Sequence, residues 1–133
     1  MLNAFDIEDT IAAVATARES GAPRGIVRVS GPNALRSISE AFQVSGNISI
    51  DDVSSPTVLP GRFKCDAMEN SIGCEVAVWP NRQSYTNQVA AEIHTIGSLP
   101  ILDAILKQLR KNGCRLAEPG EFTMRAFLSG RLD

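Results

Sequence analysis

The chain has 133 residues, one domain's worth of sequence. Thirteen Lys and Arg against fifteen Asp and Glu leave a formal net charge of −2, which excludes a chain that by itself grips a nucleic-acid backbone over a wide area. With 44% hydrophobic and 21% charged residues, the composition is that of a globular domain with a sizeable core and not of a disordered segment.

Residues 10–16 (TIAAVAT) and 24–30 (RGIVRVS) are short β-branched runs on either side of Gly21, Ala22 and Pro23, and are expected to be two strands. Ser30-Gly31-Pro32 ends the second. Pro32 suits the first turn of a helix whose stripe is Ala34, Leu35, Ile38, Ala41 and Phe42. Residues 43–57, with four serines and the pair Asp51-Asp52, read as an exposed connection with room for one short strand. Strands follow at 57–66 and 73–79, and Pro60-Gly61 predicts that the first is bulged or at a sheet edge.

A polar loop at 80–88 leads to a strand at 89–96. The clearest helix covers about 99–112. Leu102, Ile105, Leu106 and Leu109 form its stripe, Lys107, Arg110 and Lys111 suit its C-terminal end, and Gly113 stops it. A short strand at 114–117 precedes a last helix, opened by Pro119 at its first position, with Glu121 in the first turn and Phe122 and Ala126 on one face. The fold expected is α+β (mixed α/β), a mixed sheet of about five to six strands with about three helices. The last helix runs almost to Asp133, as expected of a module cut from a longer chain.

Several chemistries are excluded by what the sequence lacks. No G-x-x-x-x-G-K-[ST] or G-x-G-x-x-G is present, so the chain does not hydrolyse GTP or ATP through a phosphate loop and is no dinucleotide-binding dehydrogenase. Cys65, Cys74 and Cys114 are odd in number and form no Cys-x-x-Cys, and read as reduced buried thiols of an intracellular protein. With one histidine, His94, a multi-histidine metal site is excluded, and no metal ligand or catalytic residue is assigned. No apolar run approaches the ~20 residues of a membrane span. The acidic start (Asp6, Glu8, Asp9) is unlike a signal peptide, so a soluble cytoplasmic protein is expected.

Two polar insertions into strands stand out. In 25–31 (GIVRVSG), Ile26, Arg28 and Ser30 share one face. A lone arginine in a β-branched run reaches solvent or meets an anion. In 89–96, Ala90, Glu92 and His94 share one face. That face is either solvated or part of a polar pocket suited to a flat heteroaromatic ligand with hydrogen-bonding edges.

Several blocks together resemble the N-terminal domain of the MnmE (TrmE) family of tRNA uridine-modification GTPases. They are DTIAAVATA (9–17), GIVRVSG (25–31), Ser84-Tyr85-Thr86, Glu92-Ile93, Gly97 and above all PGEFTMRAFLSGRLD (119–133). The resemblance implies a fold similar to the tetrahydrofolate-binding domain of aminomethyltransferases, homodimerisation, and a 5-formyltetrahydrofolate held near the dimer interface. It implies a longer parent protein with a helical domain and an inserted GTPase domain that uses GTP, Mg and K. It further implies the FAD protein MnmG (GidA) and tRNA as partners, the wobble uridine as target, and a folate one-carbon unit as donor.

Carried over by position, the folate contacts implied are Arg28, Glu92 and Arg131. A carboxylate accepts parallel hydrogen bonds from the N–H edge of a pterin, and a guanidinium suits planar carbonyl or carboxylate groups. The sequence departs from the family pattern at Asn87-Gln88-Val89, where relatives commonly have G-E-D, and at Thr95-Ile96-Gly97-Ser98, where they have [CG]-H-G-G. A dimerisation module with a decayed ligand site and a small aminomethyltransferase-like folate protein are the alternative readings.

Overall fold

A computed structural model describes residues 8–15, 24–81, 84, 86 and 88–129. In chain order the elements are β1 (Ile11–Val14), β2 (Arg24–Ser30), α1 (Ala34–Ser39), β3 (Phe42–Val44), β4 (Thr57–Phe63), β5 (Ile72–Trp79), β6 (Ala90–Ile96), α2 (Leu99–Lys111), β7 (Arg115–Leu116) and α3 (Glu121–Leu128). The strands form one mixed seven-stranded sheet in the order β3-β4-β5-β6-β2-β1-β7. Every pairing is antiparallel except β1 with β7.

Alternation along the strands separates the two faces. One face carries Val27 and Val29 of β2, Val76 and Val78 of β5, Ala91 and Ile93 of β6, and Leu59 and Phe63 of β4, all buried. Ala34 and Ile38 of α1 and Leu102, Ile105 and Leu109 of α2 join them in a single core cluster. α2 approaches so closely that a side chain at Gly25 would collide with Leu102. On the other face α3 brings Phe122 over Arg28 of β2, and among the described residues Glu75, Ala77, Trp79, Glu92 and His94 stay at least partly exposed, so we call it the open face.

Several features differ from those expected. The first helix ends at Ser39, and Phe42, placed on its stripe by spacing, begins β3 and pairs with Phe63. The ring is buried in either arrangement, but the strand also gives β4 a partner. β4 is therefore second from the edge and regular through Pro60-Gly61. Pro60 lies just beyond the β3 register, where the Ser45 amide still donates to its carbonyl at 2.9 Å although no N–H can return the bond, and Gly61 lets β3 pass because any side chain there would strike the Gln43 carbonyl.

Pro32 precedes the Asn33 N-cap of α1 instead of entering the helix. Pro119 does not open α3 either. Glu118 to Glu121 form a type II turn, with Pro119 and then Gly120 at φ 75°, closed by a 2.9 Å bond from the Glu121 amide to the Glu118 carbonyl. With β3 added, the strand count is seven where about five to six were expected. α2 ends near where expected, and Gly113 follows it at φ 110°. The turn at Gly21–Pro23 lies outside the described residues.

Candidate functional site

The open face of the sheet is built in rows that cross the strands. One row runs Ala13, Arg28, Glu92, Ala77 across β1, β2, β6 and β5. On one side of it lie Ile11, Ser30, Ala90 and Trp79, and on the other Ile26, His94 and Glu75. The antiparallel register thus sets Arg28 directly opposite Glu92, and an alanine on each outer side leaves room above them. A pocket of ≈ 390 Å³ occupies that room, within the range of small-molecule sites. Arg28, Glu92 and Ala90 form its floor, with Trp79, Ser84, Thr86 and Phe122 among its walls.

Within it, Arg28 Nε–H donates to Glu92 Oε2 at 3.0 Å, and His94 Nε2 donates to the other carboxylate oxygen, Oε1, also at 3.0 Å. The Arg28 guanidinium carbon lies 5.8 Å from the centroid of the Phe122 ring, within cation–π range. Both anticipated strand residues are therefore in one pocket and bonded to one another. His94 is a hydrogen-bonded strand histidine that braces the carboxylate. A carboxylate has about four acceptor positions, so Glu92 keeps capacity for a ligand's N–H groups. Arg131 lies outside the described residues.

A hydroxyl cluster closes one side. Ser30 Oγ lies 2.5 Å from Thr86 Oγ1, which lies 3.4 Å from Ser84 Oγ, and all three residues are buried. Gln88 Oε1 accepts from Ser30 Oγ at 3.3 Å and from Arg125 Nη1 at 3.0 Å. Arg125 is 1% exposed and Glu121 fully buried, so the first half of the 119–133 block supplies an internal anchor. Glu121 accepts two bonds from Arg115, at 3.0 and 2.7 Å, one from the Glu118 amide at 2.8 Å and one from Arg125 at 3.4 Å. Arg115 Nε in turn donates to Asp9 Oδ2 at 3.0 Å.

Burial pushes the Glu121 carboxyl up, but Arg115 and the Glu118 amide outweigh it and hold it below the ordinary carboxylate value. The Glu121 hydrogen bonds raise Arg115, while burial lowers Arg125. This network fixes α3, and with it Phe122, over the sheet.

Among the described residues no nucleophile stands paired with a base in this pocket. Burial raises all three thiols, that of Cys74 to about 12, which keeps them protonated and unreactive. Among the described residues no group of three or more His, Cys, Asp or Glu could hold a metal ion, and no helix is long and apolar enough to cross a membrane. The pocket brings together a braced carboxylate, a guanidinium and two aromatic walls. Trp79, Phe122, Thr86 and Arg125 were not anticipated. Only the i, i+4 spacing of Glu121 and Arg125 and the shared strand parity of Trp79 and Ala77 hinted at them.

Comparison with known proteins gives a family model described as GTP-binding protein TrmE N-terminus, which matches residues 10–131. Relatives include proteins named tRNA modification GTPase MnmE. That of Rhodopirellula baltica is 41% identical over 133 residues (96% of this chain, 27% of the relative), and that of Carboxydothermus hydrogenoformans 41% over 129 residues (96% and 28%). That of Shouchella clausii is 41% identical over 126 residues, covering 94% of this chain and 27% of the relative. The chain thus spans about a quarter of the length of the curated relatives it matches.

Proposed function

From the premise that this chain belongs to the TrmE N-terminal family, we propose that its open-face pocket binds a reduced folate, 5-formyltetrahydrofolate or a close derivative. The observation that carries this reading is the Glu92 carboxylate, fixed from both sides by Arg28 and His94 in a pocket walled by Trp79 and Phe122. A pterin presents a flat ring with an N–H edge. Glu92 would accept from that edge, the aromatic walls would cover its faces, and Arg28 would donate to carbonyl or carboxylate oxygens. Arg131 is proposed as a further contact. When bound, the folate would supply a one-carbon unit; the residues of this chain bind and orient it.

At the level of the longer protein, we propose that the domain is the homodimerising N-terminal module of a cytoplasmic tRNA modification GTPase. The parent would use GTP, Mg and K in a separate domain and act with the FAD protein MnmG on the wobble uridine.

Calorimetric titration with 5-formyltetrahydrofolate tests the site. Wild type is expected to bind, and Glu92→Ala to lose about 2 kcal/mol, about 30-fold in affinity, the scale of hydrogen bonds to a charged group. Absence of heat with folded wild type overturns the folate reading. Sedimentation is expected to show a dimer, and a monomer at high concentration overturns the assembly.

A further inference from the structure

The chain is acidic overall, yet residues 107–115 (KQLRKNGCR) hold four cations and no acid. The fold gathers them around an open groove of ≈ 550 Å³ between the end of α2 and β7, lined by Lys107, Arg110, Lys111, Cys114, Arg115 and Leu116. This groove lies at the β7 edge of the sheet, apart from the Arg28–Glu92 pocket, and shares no lining residue with it.

Their pairing distinguishes these four from an ordinary solvated helix end. Arg115 is committed to Glu121 and Asp9, and Lys111 reaches Asp66 at 3.3 Å across an exposed contact. Lys107 and Arg110 make no hydrogen bond or ion pair among the described residues, and Asp103, one turn before Lys107, does not pair with it. Lys107, Arg110 and Lys111 stand at i, i+3 and i+4, on the helix face away from the buried Leu102, Ile105 and Leu109. A helix C-terminus favours cations in its last turn, which accounts for Arg110 and Lys111 but less for Lys107.

The edge of β7 adds a neutral donor. The amides of Arg115 and Ala117 bond to the carbonyls of Thr10, just before β1, and Ala12 within it, so the Leu116 amide between them points away from β1 at the sheet edge. Cations lining one open groove beside a backbone N–H that points away from the sheet suit a phosphodiester backbone, which is read without regard to base.

We propose that this groove is an accessory RNA-backbone contact, two to three phosphates wide, which orients a tRNA against the domain. The proposal rests on the tRNA-modification reading above but not on the folate site. Small size reconciles it with the acidic composition: the patch adds register and orientation, not high affinity.

Anisotropy titration of a fluorescein-labelled tRNA transcript, with this chain over a salt series, tests it. Wild type is expected to bind at low salt with a slope of log affinity on log salt of about −2 to −3. Lys107→Glu with Arg110→Glu is expected to weaken binding at least tenfold and flatten that slope, with 5-formyltetrahydrofolate titration unchanged. Arg24→Glu with Arg62→Glu, the same charge change elsewhere on the surface, is expected to retain more than half of the binding free energy. The proposal is overturned if folded wild type does not bind the tRNA at low salt, or if the two double variants lose equally. Binding to phosphatidylserine vesicles in place of the tRNA overturns the choice of partner. Loss of RNA binding with folate binding intact separates this surface from the pocket.

Discussion

On the helix side of the sheet, Val27, Val29, Val76, Val78 and Ile93 lie beneath α1 and α2; between them in the same strands, Arg28, Ala77, Trp79, Glu92 and His94 face the open side. The first set is interchangeable in kind, since any branched apolar residue of similar volume keeps the core. The second is not, because Arg28, Glu92 and His94 are bonded to one another and Arg28 lies over the Phe122 ring. The strand period of two therefore lets one short segment such as 26–30 serve stability with one parity and recognition with the other. Substitutions on the two faces should accordingly fail in different assays.

The largest effect is expected where the open face is itself anchored by buried charge. Glu121→Ala leaves Arg125 without its buried carboxylate and is expected to cost about 3–5 kcal/mol by urea denaturation. The carboxyl titrates below its ordinary value of 4.5 in the folded chain. Its contribution is thus complete above that pH and lost as pH falls through the lower folded value. Wild type should lose stability between pH 5 and pH 2 by more than Glu121→Gln does; parallel curves would remove the network from the account.

A core truncation comes next. Ile93→Ala, beneath the helices, is expected to cost about 2–5 kcal/mol in the same assay. Its folded fraction should bind folate within a few-fold of wild type. A large affinity loss there would show that the two faces are not separable.

Glu92→Gln reverses the pattern, with ligand affinity expected to fall at least tenfold and stability to change by less than about 1 kcal/mol, since the Arg28 pair is partly solvated. The smallest effect is expected at Arg24→Ala. Its 3.5 Å pair with Glu75 is about half exposed on both sides, so a change within about 0.5 kcal/mol is expected by thermal melting.

Most strands and α2 were legible because one face of each is buried and the apolar spacing declares it. β3 was not, because Phe42 satisfies a helical stripe and a strand pairing equally, and only the approach of Phe63 decides between them. The start of α3 was misplaced because Pro-Gly serves a type II turn as readily as Pro serves a helix start. For the site, strand parity alone put Arg28 on one face and Glu92 on one face. That these are the same face, and opposite one another, depends on pairing β2 with β6 across 64 residues, which no local pattern encodes. The tether from Arg125 to Gln88 is likewise a contact across 37 residues, between a helix and a loop.

Trp79 is the single tryptophan of the chain, and its indole forms part of the pocket wall. The protein therefore carries one indole fluorophore, placed at the point where a ligand ring would arrive and at the end of a strand whose other face belongs to the core. Its emission is a local optical signal: quenching by a stacked ring reports occupancy, and a red shift reports water entering the pocket. Comparing that shift with the far-ultraviolet circular dichroism transition shows whether the recognition face loosens before the sheet itself gives way.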